Sequence, residues 1–287
     1  PVRSASEAAR RQIPGSFCRI RSIRLSRLAL SWVSTRPLCT CSSASRATIA
    51  PAAVLPISRP RAAISFSPSS KLKTPATQAA ALWMQYLTAY FPLIAIADVG
   101  PSDFVLVPAA SSSAGLAAIQ LARLRGARVI ATSRTSCKAR EIEAAGADIV
   151  MTLDDEEPLA TRINRFTGER GVRIVFDPVA GPFLNDYVNA LADNAVIFIY
   201  GLLSGDRTEL DIVRLVRRAA TIHPYSMFNH VRHPEQLEPA IAFVERAVRQ
   251  GLRPVIDSVF ALDDVISAYA RLDEHLQVGK IVVSNER

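Results

Sequence analysis

Residues 103–138 constrain the fold more than any other stretch. Phe104-Val105-Leu106-Val107 has the length and β-branching of a buried strand. The small residues Ala109-Ala110-Ser111-Ser112-Ser113-Ala114-Gly115 follow as a loop. A helix is predicted over residues 116–124, ending on the basic turn and glycine of Arg125-Gly126. Residues 127–132 form a second strand. Strand, small-residue loop, helix and strand make a βαβ unit, the first half of a mononucleotide-binding fold.

A loop of small side chains lets backbone N–H groups come close to a pyrophosphate, and the helix N-terminus adds unpaired donors and partial positive charge. Here Ser112 and Ser113 stand where glycines usually sit, and only Gly115 remains. Serine hydroxyls can donate to a phosphate but tolerate positive φ poorly. The pattern departs from G-x-G-x-x-G, and a plain βα turn with a serine N-cap is the alternative. The strand–loop–helix–strand context favours a nucleotide site at this loop.

An NAD site usually places a carboxylate about 20 residues further on, against the ribose 2′-hydroxyl. This chain has Thr132-Ser133-Arg134-Thr135-Ser136-Cys137-Lys138 there, with no acid before Glu141. Arg134 and Lys138, beside Ser133, could hold a 2′-phosphate instead. A charge-assisted hydrogen bond contributes ~1.5–3 kcal/mol, enough to favour NADP about tenfold. Two solvated surface cations are the competing explanation.

The +8 net charge is unevenly spread. Residues 1–73 contain eleven Arg, two Lys and one acid, Glu7, leaving −4 for the other 214 residues. The basic character therefore belongs to the leading segment and does not argue for a nucleic-acid-binding fold. Residues 1–70 also hold fifteen Ser and one Gly, without long periodicity. They read as a frame-shifted or mis-assembled segment, with a disordered basic tail and an organelle transit peptide as alternatives. Beginning on Pro1, the chain reads as a fragment.

No charged residue lies between Thr74 and Ala97. Residues 79–97 are apolar enough for a membrane span, but Pro92, Gln85 and Thr88 interrupt them, with Gln78 just before, and residues 79–90 read better as a buried helix. Beyond the βαβ unit the alternation continues, the pattern of a doubly wound parallel sheet. Helices are predicted at 137–145, 157–166, 183–191, 211–218 and 235–250. Strands are predicted at 148–151, 173–177, 195–201 and, at the edge, 221–225. The last stretch belongs to a second domain: extended at 254–262, helical at 263–272 with Asp263 as N-cap, and a strand at 280–283. Without the rest of that domain, the edges of Val255, Ile256, Val259, Phe260 and 281–283 are expected to be unpaired.

Residues 72–283 resemble the medium-chain dehydrogenase/reductase superfamily, in its zinc-independent quinone-oxidoreductase-like branch. The resemblance is carried by residues 86–90 (YLTAY), the run from Ala109 to Ala122, residues 126–132 (GARVIAT), Gly146-Ala147-Asp148, Phe176-Asp177-Pro178-Val179-Ala180-Gly181, Tyr200-Gly201 and Gly279-Lys280-Ile281-Val282-Val283. It implies an α/β doubly wound parallel Rossmann sheet with remnants of a GroES-like barrel domain. The divisions are a non-matching segment 1–71, a nucleotide-binding domain 72–252 and a C-terminal return 253–287. It further implies NADPH as cofactor, a small carbonyl-type acceptor such as a quinone or enone, Ser111, Ser112, Ser113, Ala114 and Gly115 at the pyrophosphate, Arg134 and Lys138 on the 2′-phosphate, Thr88, Val179, Gly201 and Leu202 along the nicotinamide, and a homodimer paired near Ile222. No metal, nucleic-acid or membrane partner is expected, and the cytoplasm is the expected location. His230 and His233 are read as surface residues and Cys137 as a bystander. Tyr86, Tyr90 and Tyr200 are possible proton donors, but no residue is assigned a catalytic role. A non-catalytic dinucleotide-binding or dimerising module is the alternative function.

Overall fold

The computed structural model describes residues 74–285, so the readings of 1–71 lie outside the described residues. Six parallel strands form one sheet: β1 (Phe104–Val107), β2 (Arg128–Ser133), β3 (Ile149–Thr152), β4 (Val172–Asp177), β5 (Leu191–Ile199) and β6 (Thr221–Pro224). Their spatial order is β3-β2-β1-β4-β5-β6. This is the doubly wound order, with its switch point between β1 and β4.

The strands are apolar on both faces because both faces are covered. Val105, Val107, Val129, Ala131, Ile174 and Phe176 join one buried cluster. It is closed by α2 (Trp83–Tyr90), which follows the short α1 (Ala76–Ala80), and by α3 (Ser113–Leu124) and α9 (Pro234–Arg249); α4 (Ala139–Ala144), α7 (Ile212–Arg217) and α8 (Phe228–Val231) are shorter connecting helices. Phe104, Leu106, Ile130, Val172, Val175 and Ile197 alternate to the other cluster. That one packs under α5 (Leu159–Thr167) and α6 (Leu184–Tyr187). Gly168 ends α5 in the left-handed conformation at φ 60°, as a C-terminal glycine should.

Several local expectations are corrected. Pro92 does not stop the apolar helix. The chain passes from α2 into a π-helical turn, Phe91–Ile96, closed by Ala97 N–H donating to Pro92 O at 3.0 Å. The wider turn accommodates a residue with no N–H to give. The run Ala76–Ile96 is long and apolar enough to cross a membrane, and 56% of its most apolar window is buried within the protein. Residues 183–191 are not one helix: two 3₁₀ turns flank the four-residue α6. Strand β5 starts four residues earlier than predicted, because Asn194 takes φ 58° and the β4–β5 register shifts between Val172 and Ile174.

The last residues form a separate two-stranded sheet. β7 (Ile256–Ala261) and β8 (Lys280–Ser284) are parallel and joined by α10 (Val265–Asp273). The expected unpaired edges are thus half-corrected, since these strands pair with each other. The N-cap of α10 is Asp264, not Asp263, after a 3₁₀ turn at Leu262–Asp264, and its side chain makes no capping bond.

One ion pair fixes the lower edge of the sheet. Arg173 on β4 grips Asp103 with two nitrogens, Nη2 at 2.6 Å from Oδ2. The same Nη2 donates to Ala97 O at 3.0 Å, and Gly100 N–H donates to Asp103 at 2.8 Å. Burial alone would raise the Asp103 pKa, but the Arg173 hydrogen bonds and charge and the Gly100 amide together hold it below its ordinary value. A depressed folded-state pKa stabilises above the unfolded value and is lost as pH falls through the folded one. Asp103→Asn should therefore cost about 1.5–3 kcal/mol at neutral pH, less than a fully dry pair because Arg173 keeps 32% side-chain exposure. Urea melts at neutral pH and at acid pH check this: the deficit should shrink on acidification as the wild-type carboxylate protonates.

Candidate functional site

The carboxyl ends of β1, β2, β4 and β5 meet at the switch point, where a ligand can lie across the sheet. The loop after β1 begins with Ala109 at φ 46°, the single left-handed residue of the turn. Ser112 keeps an extended conformation, φ −67° and ψ 154°, and caps α3 by accepting from Gly115 N–H at 3.1 Å. The serine substitutions thus avoid the strain that glycine would relieve. Helix α3 begins at Ser113, three residues earlier than predicted. Gly115 is the residue that cannot change: a Cβ there would stand 2.8 Å from Ala110 O and 2.9 Å from its Cα. The missing side chain lets α3 seat against the loop.

The C-terminal return reaches this loop from outside the sheet. Gly279 N–H donates to Ser111 O at 2.9 Å, and Ser112 and Gly279 form an isolated parallel bridge. Gly279 has φ 93°, and a Cβ would come within 2.4 Å of Val255 O. The turn before it is pinned by Asp257, which accepts from Val278 N–H at 2.9 Å and from Arg271 Nε and Nη2 at 3.1 Å each.

Thr132, at the end of β2, accepts Ala110 N–H on its carbonyl, and Ser133 beside it is buried. Arg134 is exposed and has no hydrogen bond or ion pair among the described residues. Lys138 ends the 3₁₀ turn Ser136–Lys138 and turns inward. Its Nζ donates to His275 O at 2.6 Å and Gln277 O at 3.1 Å, with Ser111 Oγ at 3.5 Å. Burial lowers the Lys138 pKa, with Arg134 and Arg271 adding to the shift. Cys137 is exposed, with Sγ 3.0 Å from Thr135 Oγ1.

The expected nicotinamide residues come from separate elements. On β4, buried Asp177 accepts from Val179 N–H at 2.6 Å, Ala180 N–H at 3.1 Å and Tyr187 OH at 2.7 Å. This shapes the turn that carries Val179. Gly201 lets the β5 end approach it, since a Cβ would lie 2.7 Å from Pro178 O. Leu202 is 70% exposed. The Thr88 hydroxyl is turned back to Met84 O at 2.6 Å, within 3.6 Å of Met227 Sδ.

Two buried polar atoms on elements that touch the serine turn lack partners: Thr132 Oγ1 and Gln277 Oε1. Tyr200 stacks on Phe176 with centroids 4.0 Å apart, and its hydroxyl lies beside Ser112. Burial pushes the phenol well up. Burial also raises Tyr86, whose hydroxyl is spent on Gln120, and Tyr90, which packs against Phe91 and Phe243. His230 is no mere surface residue: its ring stacks on Phe91 at 4.7 Å and Nδ1 lies 2.8 Å from Gln236. His233 sits half-buried at the N-cap of α9. Among the described residues, no three His, Cys, Asp or Glu side chains are grouped to hold a metal ion.

The elements described make a Rossmann-type α/β domain with a serine turn at the carboxyl edge of its sheet. A family model described as zinc-binding dehydrogenase matches residues 114–246. A quinone oxidoreductase-like protein 2 homolog from Nematostella vectensis is 29% identical over 219 residues, 74% of this chain and 58% of its own length. A Homo sapiens quinone oxidoreductase is 28% identical over 196 residues, 68% of this chain and 58% of its own. The Escherichia coli quinone oxidoreductase solved with NADPH superposes with TM-score 0.65 at 27% identity, covering 72% of this chain and 64% of that one. The chain is similar to medium-chain dehydrogenase/reductases of the quinone-oxidoreductase-like kind, and it spans 58% of the length of these curated relatives.

Sequence reasoning missed Asp257, Gln277 and the carbonyls of 275 and 277. They matter through main-chain contacts made across more than a hundred residues, and such contacts leave no local motif. Asp177 stood in the sequence only within the run that carries the family resemblance, and the Asx turn it makes was not anticipated. Gly115→Ala should cost about 1–3 kcal/mol through forced displacement of α3, measured by denaturant titration; an unchanged midpoint would contradict the close approach described.

Proposed function

We propose that the chain is an NADPH-dependent oxidoreductase of the quinone- or enone-reductase type. The observation that carries this reading is the pair of unpartnered buried polar atoms, Thr132 Oγ1 and Gln277 Oε1, on elements that touch the serine turn at the switch point. A dinucleotide brings both kinds of partner they want, ribose hydroxyl donors and phosphate acceptors. Ser111, Ser112, Ser113, Ala114 and Gly115 hold the pyrophosphate through backbone N–H groups and hydroxyls. Ser133 and Arg134 receive the adenosine end, with Lys138 beside them. The exposed, unpaired guanidinium of Arg134 suits a 2′-phosphate, and no carboxylate stands there to favour the free ribose hydroxyl. Thr88, Val179, Gly201 and Leu202 line the nicotinamide.

The cofactor supplies hydride to a small carbonyl-type acceptor. This chain's residues bind and orient it; none is assigned proton transfer. Support comes from the E. coli quinone oxidoreductase and a mycobacterial protein, both solved with NADPH. In this reading the enzyme works without zinc. The outer edge of β6, beyond Ile222, carries no strand among the described residues and is the proposed homodimer seam.

A second reading, a dinucleotide-binding module without turnover, is favoured by the C-terminal return. Leu262, Ile266 and Tyr269 lie on one stripe of α10 and its leading turn and are 58%, 81% and 56% exposed, an apolar face that a barrel domain would cover.

NADPH at about a hundred times its Kd should stabilise the chain by about 2.7 kcal/mol, read as a raised melting temperature. Arg134→Glu should cut the NADPH-over-NADH preference about tenfold or more. A melting temperature moved by neither nucleotide would overturn the reading. Loss of nicotinamide absorbance with a quinone or enone separates enzyme from module.

A further inference from the structure

We propose that Thr208 is a positioning residue: its hydroxyl latches the loop after β4 to the loop after β5 and so holds Ala180, with Val179 beside it, in a strained backbone. What the latch positions, the nicotinamide, rests on the nucleotide reading above; the latch itself does not.

The two loops that carry Val179, Gly201 and Leu202 are interlocked. Leu203 N–H donates to Pro178 O at 3.0 Å and Ser204 N–H to Val179 O at 3.1 Å. The crossing is tight from both sides. A Cβ on Gly181 would come within 2.2 Å of Ser204 Oγ, and one on Gly201 within 2.7 Å of Pro178 O. At this crossing Ala180, fully buried, takes φ 55° and ψ −149°. That region is open to glycine and costly to a residue with a Cβ, so it persists only where the surroundings fix it. Two bonds fix it here. Ala180 N–H donates to Asp177 Oδ1 at 3.1 Å, which orients the peptide before the residue. Gly181 N–H donates to Thr208 Oγ1 at 2.9 Å. Rotation about ψ of Ala180 would swing that second N–H away, so the threonine hydroxyl is what holds ψ. Among the described residues it makes the only side-chain hydrogen bond between the two loops. The other ties are main-chain, and the hydroxyl is the one a substitution can cut.

Thr208→Val keeps the shape and removes the acceptor. In the free full-length chain, amide exchange at Gly181 should quicken about fivefold, the worth of one neutral hydrogen bond. NADPH should bind this variant with a Kd within about twofold of wild type, since its phosphate contacts lie elsewhere. The rise in nicotinamide emission on binding, which reports a held ring, should be lost. Thr208→Ser keeps the hydroxyl and should restore both readouts. Ala180→Gly relieves the strain, so exchange at residues 179–181 should slow about threefold. Combined with Thr208→Val, it should recover the emission without the hydroxyl. Unchanged exchange at Gly181 in Thr208→Val, or quicker exchange in Ala180→Gly, overturns the latch. Quickened exchange with the emission intact overturns the positioning role. If NADPH does not bind the wild type at all, the nucleotide reading and the positioning role fall together, and the exchange measurements still decide the latch.

Discussion

The approach of α3 to the loop before it is the constraint on which the site depends. Gly115 sits where any side chain would strike Ala110. Because it is bare, the helix N-terminus and the serine turn form one compact donor surface. Ser112 caps that helix without leaving the extended region, and Ala109 absorbs the only left-handed turn in the loop. A serine-rich loop can therefore replace a glycine-rich one while the conformational cost falls on a single alanine.

Buried carboxylates do much of the positioning. Asp103 locks the lower edge of β1 to β4 through Arg173. Asp177 shapes the turn after β4 through two backbone amides and Tyr187. Asp257 holds the C-terminal turn through Val278 and Arg271. Each accepts several donors, so its desolvation is offset by charge-assisted bonds rather than left standing. The sheet supplies the frame, and these three groups set where its loops point.

How far this was legible differs by kind of interaction. The β-branched runs at 104–107, 149–151 and 173–176 mark strands because strands covered on both faces must be apolar throughout. The sheet order then follows from alternation with helices. Boundaries fared worse where a local signal was overruled. Pro92 looks like a stop, but a π-turn carries the chain past it. Asp193-Asn194 looks like a loop, but it is a bulged start to β5. At the site, Gly115 and the absence of an acid after β2 were readable as chemistry at fixed spacing. The commitment of Lys138 to the carbonyls of His275 and Gln277 was not, because carbonyls are common to every residue and only the fold selects which two come within reach.

The central claim is that an anion lies on the N-terminus of α3, and a carboxylate placed there tests it most directly. Ser113→Asp puts an acid in the first turn, which the helix itself tolerates or welcomes, while repelling a pyrophosphate at the same spot. Nicotinamide fluorescence titration with NADPH should show saturable binding to the wild-type chain. Binding to Ser113→Asp should be weaker by about tenfold or more, at an equal or higher melting temperature. Equal affinity in the two proteins would contradict the account.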